Sequence, residues 1–174
     1  MGARRIVESD PPGPGMEIDV RLIGDNEVAI WIEDVPECLR RAPCPMLIAR
    51  EGRVNLAYFF QYEPPAGWDG QRARVIREDT EDLDCCILSF IGVTEHVFYQ
   101  GGGDARGHPL EDKGLEPYSL YRIENSRWGW SRAGRTHFIF MFHDSTFECV
   151  AESYVCKTAR SSVSKLIRSA SLRD

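Results

Sequence analysis

Thr136–Tyr154, THFIFMFHDSTFECVAESY, is the stretch whose reading decides the fold class. Phe138, Phe140 and Phe142 recur at every second residue, and Phe147, Cys149 and Ala151 do the same beyond a polar break. A period of two over both halves predicts two strands joined as a β-hairpin. Centring the turn on Asp144-Ser145 pairs Phe142 with Phe147, Phe140 with Cys149 and Phe138 with Ala151, which gives one apolar face. The reverse face then sets His137 opposite Glu152, Ile139 opposite Val150, Met141 opposite Glu148 and His143 opposite Thr146. A three-residue loop is rejected, because a one-residue slip exchanges the faces and would mix rings with ionisable groups. A four-residue loop from His143 to Thr146 around a type I turn keeps the same facing pairs.

Alternation recurs outside this hairpin. Met16, Ile18, Val20 and Leu22, then Val28, Ile30 and Ile32 beyond Gly24-Asp25-Asn26, predict a second hairpin. PECLRRAPCP, from Pro36 to Pro45, carries three prolines and reads as a connection. Met46–Arg50 and Val54–Glu63 read as strands around Glu51-Gly52, the second apolar on both faces and therefore central. Arg74–Ile76 reads as a short strand, and Arg77–Asp84 as a solvated acidic loop without EF-hand spacing. Cys85–Val93 and Glu95–Gln100 supply one long or two short strands, with Gly92 as a bulge site, and Tyr118–Ile123 supplies another. Ser161 is placed to cap a short helix in which Val163, Leu166, Ile167 and Ala170 share a stripe.

These elements predict a mainly β fold: an antiparallel sandwich or partly closed barrel of about seven to nine strands with one C-terminal α-helix. Residues 1–15, which include PPGPG, are expected to form a disordered N-terminal arm. The β domain is expected over 16–158, followed by an amphipathic basic helix over 159–174 packed on the domain or on a partner.

Composition limits the function. The 174-residue chain carries 21 basic and 27 acidic residues, a net charge of −6. From Lys157 onward five basic residues stand against Asp174 alone, so the tail is +4 and the remainder −10. An acidic body without an aromatic-interleaved basic motif argues against nucleic acid as a partner. No apolar run reaches the roughly 18 to 20 residues of a membrane span. The N-terminus lacks a signal peptide's apolar stretch, so a cytoplasmic location is expected. Six cysteines without a CxxC pair are then expected to stay reduced. Cys149 falls on the aromatic face as a small buried hydrophobe, while Cys85 and Cys86 point to opposite faces of their strand.

The residues with chemistry to offer are His137, His143, Glu148 and Glu152. The predicted register couples His137 to Glu152 and leaves His143 diagonal to Glu148, each pair suited to acid/base work. Six residues of strand hold the two histidines roughly 20 Å apart, so they cannot share a metal; zinc would need His96 or His108 as a further ligand. No metal site and no cofactor are expected, since HExxH, GxSxG, P-loop, Rossmann and kinase signatures are absent. A contact surface is expected at the Gly101-Gly102-Gly103 loop, at Trp128 and Trp130, and on the basic helix. The favoured function is a non-enzymatic protein- or ligand-binding or assembly module, with a protein partner or self-association and a small ligand as a further option. The alternative is a small hydrolase or isomerase using a His/Glu pair inside a β-barrel cavity.

Overall fold

The alternating residues of Thr136–Tyr154 form the anticipated hairpin with the anticipated faces, in a shifted register, at the centre of a larger arrangement. A computed structural model describes residues 26–40, 45–61, 75–100, 108–128 and 134–171. Among these residues nine strands run in the order β1 (Val28–Trp31), β2 (Met46–Arg50), β3 (Arg53–Gln61), β4 (Leu83–Ile91), β5 (Glu95–Gln100), β6 (Leu120–Glu124), β7 (Thr136–Met141), β8 (Ser145–Ala151) and β9 (Ser153–Ser161). Helix α1 (Val163–Ser171) follows, and a 3₁₀ turn occupies Glu111–Lys113. The strands form two antiparallel sheets, one ordered β1-β6-β7-β8-β5 and the other β2-β3-β4-β9. The fold is a sandwich rather than a barrel.

The sheets meet through an aromatic layer. Phe138, Phe140, Phe142 and Phe147 face Tyr58 and Phe90, with Leu56, Leu88 and Leu120 filling between them. Tyr58 lies 4.8 Å from Phe140, Phe90 lies 5.2 Å from Phe147, and Phe140 stacks on Phe142 at 4.4 Å. Such contacts add about 0.5–1.5 kcal/mol per pair beyond area burial. Cys149 is fully buried in this layer. Cys86 shares it, whereas Cys85 faces the opposite side beneath α1. The pleat separates the two neighbours as expected.

Both outer faces are covered as well. Val163 and Ile167 of α1 pack on Ala57, Phe59, Leu83, Cys85 and Ile87 of the four-stranded sheet. The stripe read from the sequence docks there, with Ser162 rather than Ser161 as the cap: its Oγ accepts the Lys165 amide at 3.3 Å. Over the five-stranded sheet, Leu110 and Leu115 cover Ala29, Tyr121, Ile123, Ile139 and Met141. Because both of their own faces are buried, β3 and β7 are apolar on both sides. β3 lies between β2 and β4, as its composition predicts.

Four expectations change. The β7–β8 turn centres on His143-Asp144, one residue earlier than predicted, with the Phe142 amide donating to the Ser145 carbonyl at 2.8 Å. Phe140 therefore faces Phe147 and Phe138 faces Cys149, so the facing pairs move by two residues while the faces stay the same. His137 now faces Val150, and Ile139 faces Glu148. The second change concerns Gly92: the span 85–100 takes the two-strand alternative, with the strands in different sheets, and Gly92 sits in the crossover between them rather than in a bulge. Its φ is +67°, and a Cβ there would collide with the Glu152 side chain. Finally, residues 153–161 form an edge strand, so α1 begins at Val163 rather than near 159. Val75 and Ile76 are not in a strand. The expected strand over 16–22 and the arm over 1–15 lie outside the described residues.

Phe140 is the test of the layer. Phe140→Ala should cost about 3–5 kcal/mol in urea denaturation, whereas Phe98→Ala, at a site 37% exposed, should cost less than about 1.5 kcal/mol. Equal losses would show that the aromatic layer does not carry the fold.

Candidate functional site

The shifted register recombines the predicted acid/base pairs. On the outer face of the five-stranded sheet the His137 and Glu148 side chains meet diagonally across β7 and β8, with Nε2 3.1 Å from Oε2. Neither predicted pair forms. Glu152 is exposed and binds Arg135 at 3.1 Å, while His143 sits at the turn, 3.2 Å from the Tyr118 hydroxyl and 3.6 Å from Asp144. Among the four candidates only His137 and Glu148 share a site.

Other residues complete it. On β5, Tyr99 donates its hydroxyl to Glu148 Oε1 at 3.0 Å. The Leu110 amide donates to His108 Nδ1 at 3.1 Å. Nδ1 is then the acceptor, so Nε2 carries the proton and points it toward Glu148 Oε1 at 4.0 Å. On the far side of His137, Ser126 Oγ lies 2.9 Å from Nδ1 and accepts the Trp128 amide at 3.2 Å. An ionised Glu148 can only accept, so His137 presents Nε2–H to it. In the neutral ring Nδ1 then accepts from Ser126. A continuous chain runs from the Trp128 amide through Ser126 and His137 to Glu148.

Burial gives this chain its character. The side chains of His108, His137 and Glu148 are 9%, 8% and 16% exposed. The Trp128 ring closes over His137 edge-on at 4.6 Å. Burial alone pushes the Glu148 carboxyl up, but His108 and His137 outweigh it and hold the group at about 2. Of the two, the hydrogen bond from His137 is the closer, since 4.0 Å from His108 is an ion-pair distance. A carboxylate held this low is an anchor for the imidazole rather than a proton donor near neutrality. One position away, the Thr146 hydroxyl is fully buried with no hydrogen-bond partner among the described residues.

The predicted contact residues have other placements. Trp128 is 8% exposed and belongs to the cover of His137, not to an open aromatic surface. Trp130 and Gly101, Gly102 and Gly103 lie outside the described residues. Among the described residues no group of three His, Cys, Asp or Glu side chains is placed to hold a metal ion, and no helix is long and apolar enough to cross a membrane. Tyr99 and Ser126 were not anticipated from the sequence. Tyr99 follows from the β5–β8 pairing, which no local pattern announces, and Ser126 comes from an irregular segment.

A separate opening lies between the rims of the two sheets. A groove of about 1030 Å³ runs between β1 and β9, with Trp31, Phe138 and Cys156 among its walls and Glu33, Asp34 and Glu152 at its edge. The Tyr154 hydroxyl crosses the groove to Asp34 at 2.9 Å.

The Glu148 anchor has a pH signature. Its folded pKa lies below the ordinary 4.5, so its contribution is complete above about pH 4.5 and is lost as the pH falls toward about 2. The amount at stake is roughly 2–4 kcal/mol. Urea denaturation across that range should show the loss in the wild type and a flatter profile in Glu148→Gln. Parallel profiles would remove Glu148 from the account.

In comparison with known proteins, the chain matches no protein-family model, no curated protein and no solved structure.

Proposed function

We propose that this chain is a binding module that takes an extended, cationic segment of a partner protein into the groove between β1 and β9. The observation that carries this reading is the groove itself, bounded on both sides by strands that are sheet edges among the described residues. An edge strand presents main-chain N–H and C=O groups to an incoming strand, and alternate pockets then select its side chains. β9 offers nine residues of such an edge. Three carboxylates and one guanidinium, that of Arg122, line the groove; Arg122 is engaged by Glu124 and Glu152 by Arg135, each at 3.1 Å, which leaves Glu33 and Asp34 to set the sign of the groove. The field at the groove therefore favours lysine or arginine in the guest. Trp31, 47% exposed, supplies the large apolar contact typical of an interface centre.

A random peptide library selected against the immobilised full-length chain tests this. Selected peptides should alternate apolar residues with lysine or arginine. They should lose at least about tenfold in affinity on Trp31→Ala and on Asp34→Lys, and should protect β9 amides from hydrogen exchange. Failure to select any binder, or binders indifferent to both substitutions, would overturn the reading.

A second reading is favoured by the 2.9 Å contact between Ser126 and His137. In it Ser126 Oγ gives its proton to His137 Nδ1 and attacks an acyl carbon, with Glu148 steadying the imidazole. A fluorophosphonate probe should then label Ser126, and labelling should vanish in His137→Ala. An unlabelled wild-type chain would rule out this hydrolase.

A further inference from the structure

Cys86 on β4 and Cys156 on β9 bring their sulfurs within 3.4 Å. The register pairs Cys86 with Thr158 and Leu88 with Cys156, so the two cysteines are diagonal neighbours on the face that meets the other sheet. Their surroundings differ. Cys86 is fully buried beside the Tyr58 hydroxyl, while Cys156 is half-buried and forms part of the groove wall. We propose that Cys86 and Cys156 form a reversible redox site, in which Cys156 meets a hydroperoxide arriving through the groove and Cys86 resolves the product as a disulfide.

The chemistry balances in two steps. The Cys156 thiolate attacks the distal oxygen of the hydroperoxide; the O–O bond breaks, an alcohol or water leaves with a proton, and Cys156 becomes a sulfenic acid. The Cys86 sulfur then attacks the Cys156 sulfur, expelling hydroxide, which leaves as water with the Cys86 proton. Two electrons pass from the thiol pair to the peroxide. An external dithiol reverses the result by two exchanges, becoming a disulfide itself.

The other described cysteines are poor competitors. Burial pushes the Cys38 thiol up to about 12 and the Cys85 thiol up to about 11, and raises Cys149 as well. Cys156 goes the other way, because its hydrogen bond with Cys86 favours the Cys156 thiolate. That same contact, with burial, raises Cys86 and keeps it the protonated partner. The thiolate is the nucleophile, so the half-buried member of the pair is the one that reacts first.

Strand geometry also sets the bond's character. Diagonal neighbours have Cα atoms about 7–8 Å apart, beyond the roughly 4.4–6.8 Å that a disulfide usually spans, so the backbone must move for the bond to close. Closing the bond requires a small slide of β9 along β4. β9 can make it, being paired on one edge only among the described residues. A disulfide closed under that demand is readily reduced, as a regulatory one is.

The full-length reduced chain treated with hydrogen peroxide at about tenfold excess should lose two thiols and about 2 Da of mass. Peptide mapping should show one cross-link, Cys86 to Cys156, which dithiothreitol removes. Cys156→Ser should slow thiol loss at least about tenfold. Cys86→Ser should leave a sulfenic acid at Cys156 that dimedone captures. A cross-link between other cysteines, or overoxidation of Cys156 with no cross-link in the wild type, would overturn the proposal. The wild-type map decides this even where a variant fails to fold.

Discussion

The aromatic layer between the sheets is the constraint from which the rest follows. Phe138, Phe140 and Phe147 can meet Tyr58 and Phe90 only if β7 and β8 turn their even- and odd-numbered residues inward, respectively. The reverse side of the same strands is then committed to His137, Ile139, Met141, Thr146 and Glu148. Ile139 and Met141 are too apolar to leave in water. Leu110 and Leu115 cover them, and neighbours of that cover shield the ionisable pair beside them, Trp128 over His137 and His108 against Glu148. The burial of His137 and Glu148 is thus a by-product of burying their neighbours.

An ionised carboxylate under such a cover is expensive unless every lone pair is answered. Tyr99, His137 and His108 converge on Glu148, one from each of three separate segments. The two histidines are themselves held: the Leu110 amide sets the His108 tautomer, and Ser126 sets the far side of His137. The network therefore pins the 108–128 segment to the sheet at two points. Its polar groups specify where an irregular chain lies, which hydrophobic contacts alone would leave less defined.

Much of the fold was legible because burial leaves a period in the residues. The faces of β7 and β8, the two-sided β3, the inward Cys149 and the stripe of α1 all follow from where apolar side chains recur. The register was not legible. His143-Asp144 and Asp144-Ser145 are equally acceptable turn dipeptides, and either keeps the phenylalanines on one side. A shift of two residues costs the pattern nothing, yet it changes the partner of His137 from Glu152 to Glu148. β9 was hidden for the opposite reason: an edge strand with one open side carries Lys157, Thr158 and Arg160, and has no alternation to read. The site's remaining members come from loops, whose contacts obey no period at all.

The chain passes from one sheet to the other twice at the same corner. β4 leads through Gly92 into β5, and β8 leads through Glu152 into β9. The crossings are tied by the Glu152 amide to the Ile91 carbonyl at 2.9 Å and the Thr94 amide to the Val150 carbonyl at 3.0 Å. Neither layer is therefore a self-contained stretch of polypeptide that could finish first and await the other. Each ladder has a strand whose continuation lies across the interface, so half-built intermediates with one completed sheet have little to hold them. The sandwich gains and loses its order as a single cooperative unit.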